Sequence, residues 1–446
     1  MGIFDSFRAA RRNILEIVPK IATTQPIVSG KTAIVRWHMV MDPTANRRIL
    51  KDAVDAYPKS DVTKNILSPA IGNSLFIAEG AHWRWQRRAA TPVFTHRNVA
   101  NLGPIMSHAA ERSSERIAAS RGRAIDVFEE MVKATFDVIS DVTFSGDKSF
   151  DADDTQRGIE LYIQQTAKVS LMDVVGVPTW VPRPGRLFSS GAMRDMKRLA
   201  DEVIEARRAS GPRPVPDLLD LLLDGEDPKT KRKMNTPELR DNLLTFIVAG
   251  HETTALTLAW ALYLCGFDQE VQAKARAEAQ AVLGGRAATA DDLEDLPYIR
   301  MIIDECLRLY PPAAFVSRTA QEDDTLCGRE IKKGDTVMLP IYALHRNELL
   351  WEDAAAFRPE RFADRKAVDR FSYLPFGDGP RICIGASFAL QEAVIILATL
   401  LGRFKFTLVE GKNPEPVIIL TLRPEGGVWM EVEPLEPEST PAQAAE

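Results

Sequence analysis

Along most of the chain apolar residues recur every three to four positions, the period of one buried helix face, so the pattern predicts a mainly α fold with minor β. Helices are expected over residues 45–56, 81–90, 99–118, 124–143, 154–169, 193–209 and 217–223. Proline-rich runs at 177–185 and 210–216 separate some of them, because proline lacks the N–H and clashes with the preceding turn. The clearest start has Thr236 as N-cap, Pro237 at the first helical position and Glu238 in the first turn. That helix should run about thirty residues, far beyond the ~12-residue average, and cross the whole molecule. Two more follow, over 298–310, ending at Pro311 and Pro312, and over 385–401. Period two is scarce: an edge strand at 31–40, a strand at 336–339, and strands at 418–422 and 428–432 joined as a hairpin through Arg423 and Gly427. Beyond Leu435 the tail has nothing to bury and is expected to be disordered, leaving 1–434 as a single large domain.

With 446 residues, 45% hydrophobic and 26% charged, the chain can bury a large core, and no linker or repeat divides it. A net charge of -6 gives no general attraction to nucleic acid. Residues 243–267 are apolar enough for a membrane span, but His251, Glu252, Thr253 and Thr254 in their middle are costly in lipid and indicate a buried core helix. Arg8, Arg11, Arg12 and Glu16 interrupt the apolar core a signal peptide needs, so a cytoplasmic protein is expected. Four cysteines without a Cys-x-x-Cys pair and six scattered histidines predict neither a disulfide framework nor a zinc site.

Three stretches carry candidate chemistry. The first runs from Phe376 through Gly377, Gly379, Arg381 and Cys383 to Gly385, placing a cysteine in a glycine-rich loop just ahead of an apolar helix. Helix N–H groups and the positive dipole end lower a thiol pKa, and a thiolate binds metal. Taken alone, a cysteine is more often a small buried hydrophobe. The second, Ala249 to Thr254, sets Gly250, Glu252, Thr253 and Thr254 within about one and a half turns. Gly250 removes bulk so that a flat ligand can lie against the backbone, and Thr253 can bond the carbonyl four residues back. Taken alone, these are threonines satisfied by their own helix. The third, Glu305 with Arg308, is an i, i+3 pair that in isolation reads as a surface ion pair.

Together, in this order, the three resemble the cytochrome P-450 family, the haem-thiolate monooxygenases. The resemblance implies a haem domain with a long central helix over the haem and small β-sheets. Cys383 would ligate the iron of haem b, with Phe376 beside it, while Glu252 and Thr253 would be the acid-alcohol pair that delivers protons to oxygen. Glu305, Arg308 and Arg361 would form the family's buried structural cluster. Trp83 and Arg87, with Arg318 and Arg381, would contact the haem propionates, leaving Arg84 and Arg88 turned outward to a partner. A substrate pocket would be lined by Phe76, Ala249, Ala314, Phe315 and Leu420, with the Trp180 segment as lid. The implied reaction is hydroxylation or epoxidation of a lipophilic small molecule by O2. No nucleotide- or flavin-binding unit is present in the sequence, so electrons would come from a separate ferredoxin or flavodoxin with its reductase, and a monomer is the family default. A peroxide-driven peroxygenase and a noncatalytic haem sensor are alternatives that need no proton relay, which Glu252 and Thr253 argue against. A haem-free thiol enzyme would lack a histidine partner for Cys383.

Overall fold

Asn235, one residue before the expected cap, starts the long helix Thr236–Phe267: its Oδ1 accepts from the Glu238 N–H at 3.0 Å while Glu238 Oε2 accepts the Asn235 N–H at 3.1 Å. This reciprocal box prevails over a threonine cap because two orphan donors are satisfied together. The computed structural model describes residues 13–32, 35–144, 190–418 and 420–435; the expected helix over 154–169, the Trp180 segment and the tail past 435 lie outside them.

The long helix is apolar all round, so it must be surrounded. Leu243, Leu256, Leu258, Ala259 and Trp260 are fully buried. Val127–Phe144, Pro297–Leu309 and Ala386–Arg403 pack on it. Among the described residues, Ala386–Arg403 rather than 243–267 is long and apolar enough to cross a membrane, and 61% of it is buried within the fold.

At one side lies a four-stranded sheet in the order Ile27–Thr32, Val35–Val40, Thr336–Leu339, Val316–Thr319, with a smaller core of Met39, Ile49, Val337 and Leu339. The expected edge strand at 31–40 thus falls on the end of Ile27–Thr32 and on Val35–Val40, which pair antiparallel with Ile27 opposite Val40, and Val35–Val40 is an inner strand because Thr336–Leu339 flanks its other side. Gly30 permits this, since a Cβ there would stand 2.3 Å from Trp37 Cζ2 on the facing strand.

Two expected helices are shorter than their apolar runs. The 45–56 segment is a turn of α-helix, Pro43–Arg47, continued by a π-helical turn, Arg48–Asp52. The 99–118 run breaks into His96–Asn101 and Gly103–Ala119, where Pro104 has no N–H to donate and Gly103 lies against Ala290. The C-terminal hairpin is also shifted. Glu415–Ile418 pairs with Leu422–Glu425, so Leu420 sits at the reversal, and Trp429–Pro434 pairs instead with Phe404–Leu408 and Ile125–Asp126. Gly426 and Gly427 have φ of 85° and 78°, and a Cβ on Gly427 would come 2.0 Å from Asp126 Oδ2. The glycine pair therefore carries the chain to another sheet, a route that alternation alone does not reveal.

Candidate active site

The cysteine loop is shaped by its backbone. Gly379 has φ of 72° and presses on the π-helical turn, where a Cβ would lie 2.1 Å from the Leu50 carbonyl oxygen. The Cys383 N–H donates to the Phe376 carbonyl at 2.9 Å, and Gly377 N to Leu374 O at 3.1 Å, so the loop closes on itself ahead of Ala386–Arg403. Cys383 is exposed, whereas Cys265 and Cys306 are buried in the core. Even so, the surrounding protein removes enough water to push the Cys383 thiol above its ordinary value, against the downward pull of the Gly385 N–H, Arg87 and Lys59. The helix end lowers the pKa as expected, but desolvation is larger, and the anion needs a bound cation to persist.

Around this loop gather more positive charges than the protein balances. Arg381 donates to the Ala78 carbonyl at 3.0 Å and pairs with Glu79, its guanidinium 4.3 Å from the centre of the Trp83 ring. Arg318 is buried and donates to the Ser317 carbonyl; burial with Arg381 nearby lowers its pKa to about 10. Arg87 has no side-chain partner among the described residues, and desolvation lowers it too. Lys59 sits 3.7 Å over the Phe76 ring and donates to the Phe76 carbonyl; burial beside Arg318 and Arg381 holds it well below the usual lysine range. Lys59, Arg318 and Arg381 thus draw mainly on Glu79, with Asp55 also acting on Arg381, and Arg87 on neither, and a basic cluster so unbalanced fits anions placed among its members.

The long helix offers an open face near its middle. Ala249 is exposed and Thr253, one turn on, is partly so, while His251, Glu252 and Thr254 are buried. Thr253 Oγ1 donates to the Ala249 carbonyl at 2.8 Å, leaving its lone pairs to accept from a neighbour on the open side. Gly250 does not form this face: its missing side chain points at Ile139, whose Cδ1 a Cβ would meet at 3.4 Å. Glu252 faces the hairpin, where Thr421 Oγ1 and Arg423 Nε both donate to its Oε1 at 2.6 Å. Thr254 hydrogen-bonds Glu392 on the helix after the cysteine, which ties the two halves of the site together.

The family model for cytochrome P450 matches residues 6–430. The chain belongs to the cytochrome P450 family. It is 34% identical over 380 residues to a cytokinin hydroxylase of Arabidopsis thaliana, covering 82% of this chain and 72% of that one. A cyclooctat-9-en-7-ol 5-monooxygenase of Streptomyces melanosporofaciens is 34% identical over 405 residues, 90% of this chain and 86% of its own. The crystal structure of the cytochrome P450DA heme domain superposes with a TM-score of 0.83 at 27% identity, covering 98% of this chain and 93% of that one. The protein is a cytochrome P450 monooxygenase with a haem cofactor, and the mainly helical fold with small sheets is the family's.

In this P450 the residues present fit haem. Cys383 offers a thiol on an open loop, and Lys59, Arg87, Arg318 and Arg381 offer cations to its two carboxylates. Trp83 is buried and its indole N–H carries no protein acceptor among the described residues, so it remains a free donor there. Phe76 is exposed, Phe315 and Leu420 are half-buried, and Ala314 is covered by Ile418 and Leu422 beneath the hairpin. Arg84 and Arg88 are not free for a partner, since they pair with Asp55 and with buried Asp227, both at 2.7 Å.

The P450 brace is complete. Arg308 and Glu305 are fully buried and doubly hydrogen-bonded at 2.7 and 2.8 Å. Arg308 also donates to the carbonyls of His345, Ala354 and Ala356, and Arg361 Nε reaches Glu305 at 3.3 Å. The sequence reading missed His345. Its Nδ1 lies 3.2 Å from the Arg308 carbonyl, so it must donate, and Nε2 accepts the Leu374 N–H at 2.8 Å. A neutral imidazole therefore joins the brace to the residue two before Phe376, and burial beside Arg308 pushes its pKa down to about 3. Lys59, Thr421 and Arg423 were missed as well, since isolated polar residues far away in sequence leave no local pattern.

Proposed function

We propose that this P450 hydroxylates or epoxidises a lipophilic small molecule with O2, using haem b and electrons from a separate ferredoxin or flavodoxin and its reductase. When bound, haem would supply oxygen activation at an iron that the Cys383 sulfur would hold and enrich in electron density. The protein's own residues do the rest. Cys383 holds the metal, while Lys59, Trp83, Arg87, Arg318 and Arg381 fix the cofactor's carboxylates. Thr253 accepts and passes a proton on the open face of the long helix, and buried Glu252 restores it. Phe76, Ala249, Phe315 and Leu420 present apolar surface that suits a water-poor substrate, with Ala314 packed behind them.

The observation that carries this reading is Thr253 on the open helix face, its own hydrogen committed to Ala249, next in sequence to a buried carboxylate held by the hairpin. A sensor or a peroxygenase has no use for that arrangement, because peroxide brings its own protons. Names among the relatives, a cytokinin hydroxylase and a cyclooctat-9-en-7-ol 5-monooxygenase, agree with small apolar or weakly polar substrates. A donor would find little basic surface at Arg84 and Arg88, so encounter steering rests on other groups. The test is to supply reductant through a surrogate ferredoxin and its reductase with lauric acid, limonene and testosterone under labelled O2. One labelled oxygen atom in the product supports the reading. Turnover with peroxide but not with the donor would replace it with the peroxygenase.

A further inference from the structure

Ile27–Thr32 is an outer strand of the four-stranded sheet, and just before it the Met41 N–H donates to the Pro26 carbonyl at 2.8 Å. Hydrogen-bonded pairs in an antiparallel ladder fall at every second residue, so Val28 with Met39 and Gly30 with Trp37 exchange main-chain bonds while Ser29 with His38 does not. Side chains of such an unbonded pair come closest, and here Ser29 Oγ lies 2.8 Å from His38 Nδ1. The same register turns the Ser29 N–H outward, to the open edge of the sheet.

His38 is 3% exposed, and its other nitrogen, Nε2, lies 3.0 Å from Oδ2 of Asp335, which is itself buried. Oδ2 also accepts the Lys332 N–H at 2.8 Å and has Arg36 Nε at 3.3 Å, so the carboxylate is fixed from two more sides. An ionised carboxylate only accepts; in the neutral ring Nε2 therefore carries the hydrogen, and Nδ1 accepts from the Ser29 hydroxyl. Ser29 is exposed. A reachable hydroxyl, a buried imidazole that receives its proton and a buried carboxylate that orients the imidazole are together the parts of an activated nucleophile. The two ring nitrogens stand in the reverse of the serine-protease order, which leaves the proton path intact because each needs only one partner.

We propose that Ser29, His38 and Asp335 form a second site, sharing no residue with the haem site, that hydrolyses small carboxylic esters. Ser29 and His38 are its catalytic residues, and Asp335 is a positioning residue. The Ser29 oxygen attacks the ester carbonyl carbon while His38 Nδ1 takes the hydroxyl proton. That proton passes to the departing alkoxide as its C–O bond breaks, leaving acyl-Ser29 and an alcohol. Water then attacks the acyl carbon and loses a proton to Nδ1, the acyl–serine bond breaks, and the proton returns to Oγ, so one ester and one water give one acid and one alcohol. The outward Ser29 N–H, with exposed Lys31 two residues along on the same face, favours the negative charge that develops on the carbonyl oxygen.

The test treats the haem-loaded full chain with 4-nitrophenyl acetate, follows nitrophenol release by chromatography and maps the acetyl group by peptide mass. Ser29→Ala, His38→Gln, Asp335→Asn and Asp335→Glu are compared with the parent, each checked for its carbon monoxide band and denaturation midpoint. In the parent Ser29 should be acetylated about 100-fold faster than Ser68, an exposed serine without a base, which is the share a positioned base supplies. His38→Gln should lose that advantage, Asp335→Asn most of it, and Asp335→Glu should recover part, a rescue that a purely structural carboxylate would not give. Ser29→Ala should release nitrophenol no faster than the variant without the imidazole while keeping the parent's carbon monoxide band. Acetyl found on Lys31, or on Ser29 no faster than on Ser68, overturns the proposal in the parent protein alone, whether or not the buried variants fold. Parent-rate acetylation of Ser29 in a folded His38→Gln overturns it as well.

Discussion

Two forces compete at Cys383: desolvation favours the neutral thiol, and the Gly385 N–H, Arg87 and Lys59 favour the anion. Metal ligation decides the contest, so Cys383→Ala should fold but retain no iron, read as loss of the long-wavelength band when reduced protein meets carbon monoxide. Thr253→Ala keeps the sulfur and the cations yet loses the hydroxyl on the open face. It should bind haem and substrate like the parent while diverting most reducing equivalents to peroxide, and unchanged coupling would remove Thr253 from the relay. At this scale the sequence is most readable where chemistry is packed into a short span, as for Cys383 within its loop or Glu252 beside Thr253. Lys59, Thr421 and Arg423 were hidden because each gains its meaning from a partner across the fold; Thr421 and Glu252 stand 169 positions apart.

Elements matter here through the way they hold a loop. The Glu305 and Arg308 pair lies without solvent contact at the centre of three carbonyls and two N–H donors, from Arg358 and Arg361, and His345 relays that rigidity to Leu374. Breaking one half of a buried pair leaves the other charge uncompensated, at a cost of about 3–5 kcal/mol. Glu305→Ala should therefore lose about 3–5 kcal/mol of unfolding free energy and lose haem on gel filtration, where an exposed pair would lose neither. Gly379→Ala tests the loop itself: its φ of 72° and the 2.1 Å approach to the Leu50 carbonyl leave no place for a Cβ. We expect protein of near-parental helix content with little bound haem. The brace was legible as Glu-x-x-Arg on a helix ending in prolines. The C-terminal hairpin was misplaced, because alternation in 418–422 and 428–432 fits either pairing and only the Gly426 and Gly427 route, set by Asp126, selects one.

For the whole molecule, apolar period and length were enough to predict a helical body around one long helix, since a helix hydrophobic on every side has only the centre to occupy. What periodicity does not encode is which polar groups the centre also encloses, and two of these set how stability varies with pH. Glu392, on the helix after Cys383, is 1% exposed, and burial raises its carboxyl to about 8 despite the Thr254 hydrogen bond. Between the ordinary 4.5 and about 8 the unfolded chain has released this proton and the folded chain has not, so the folded state loses stability as pH rises through that window and levels off above it. His345 acts from the other side. Its folded value near 3 lies below the ordinary 6.5, so stability is lost as pH falls beneath 6.5, where the unfolded imidazole takes up a proton that the folded one refuses. One pKa unit is about 1.4 kcal/mol, so each slope amounts to a few kcal/mol. Glu392→Gln keeps the shape and removes the titration. Its denaturant midpoint should stop falling with rising pH between 6.5 and about 8, and below 6.5, where the two opposite trends offset each other in the parent, the His345 loss should be uncovered; an unchanged profile in that variant would show that Glu392 is charged in the folded protein and that Thr254 or water supplies more than burial takes away.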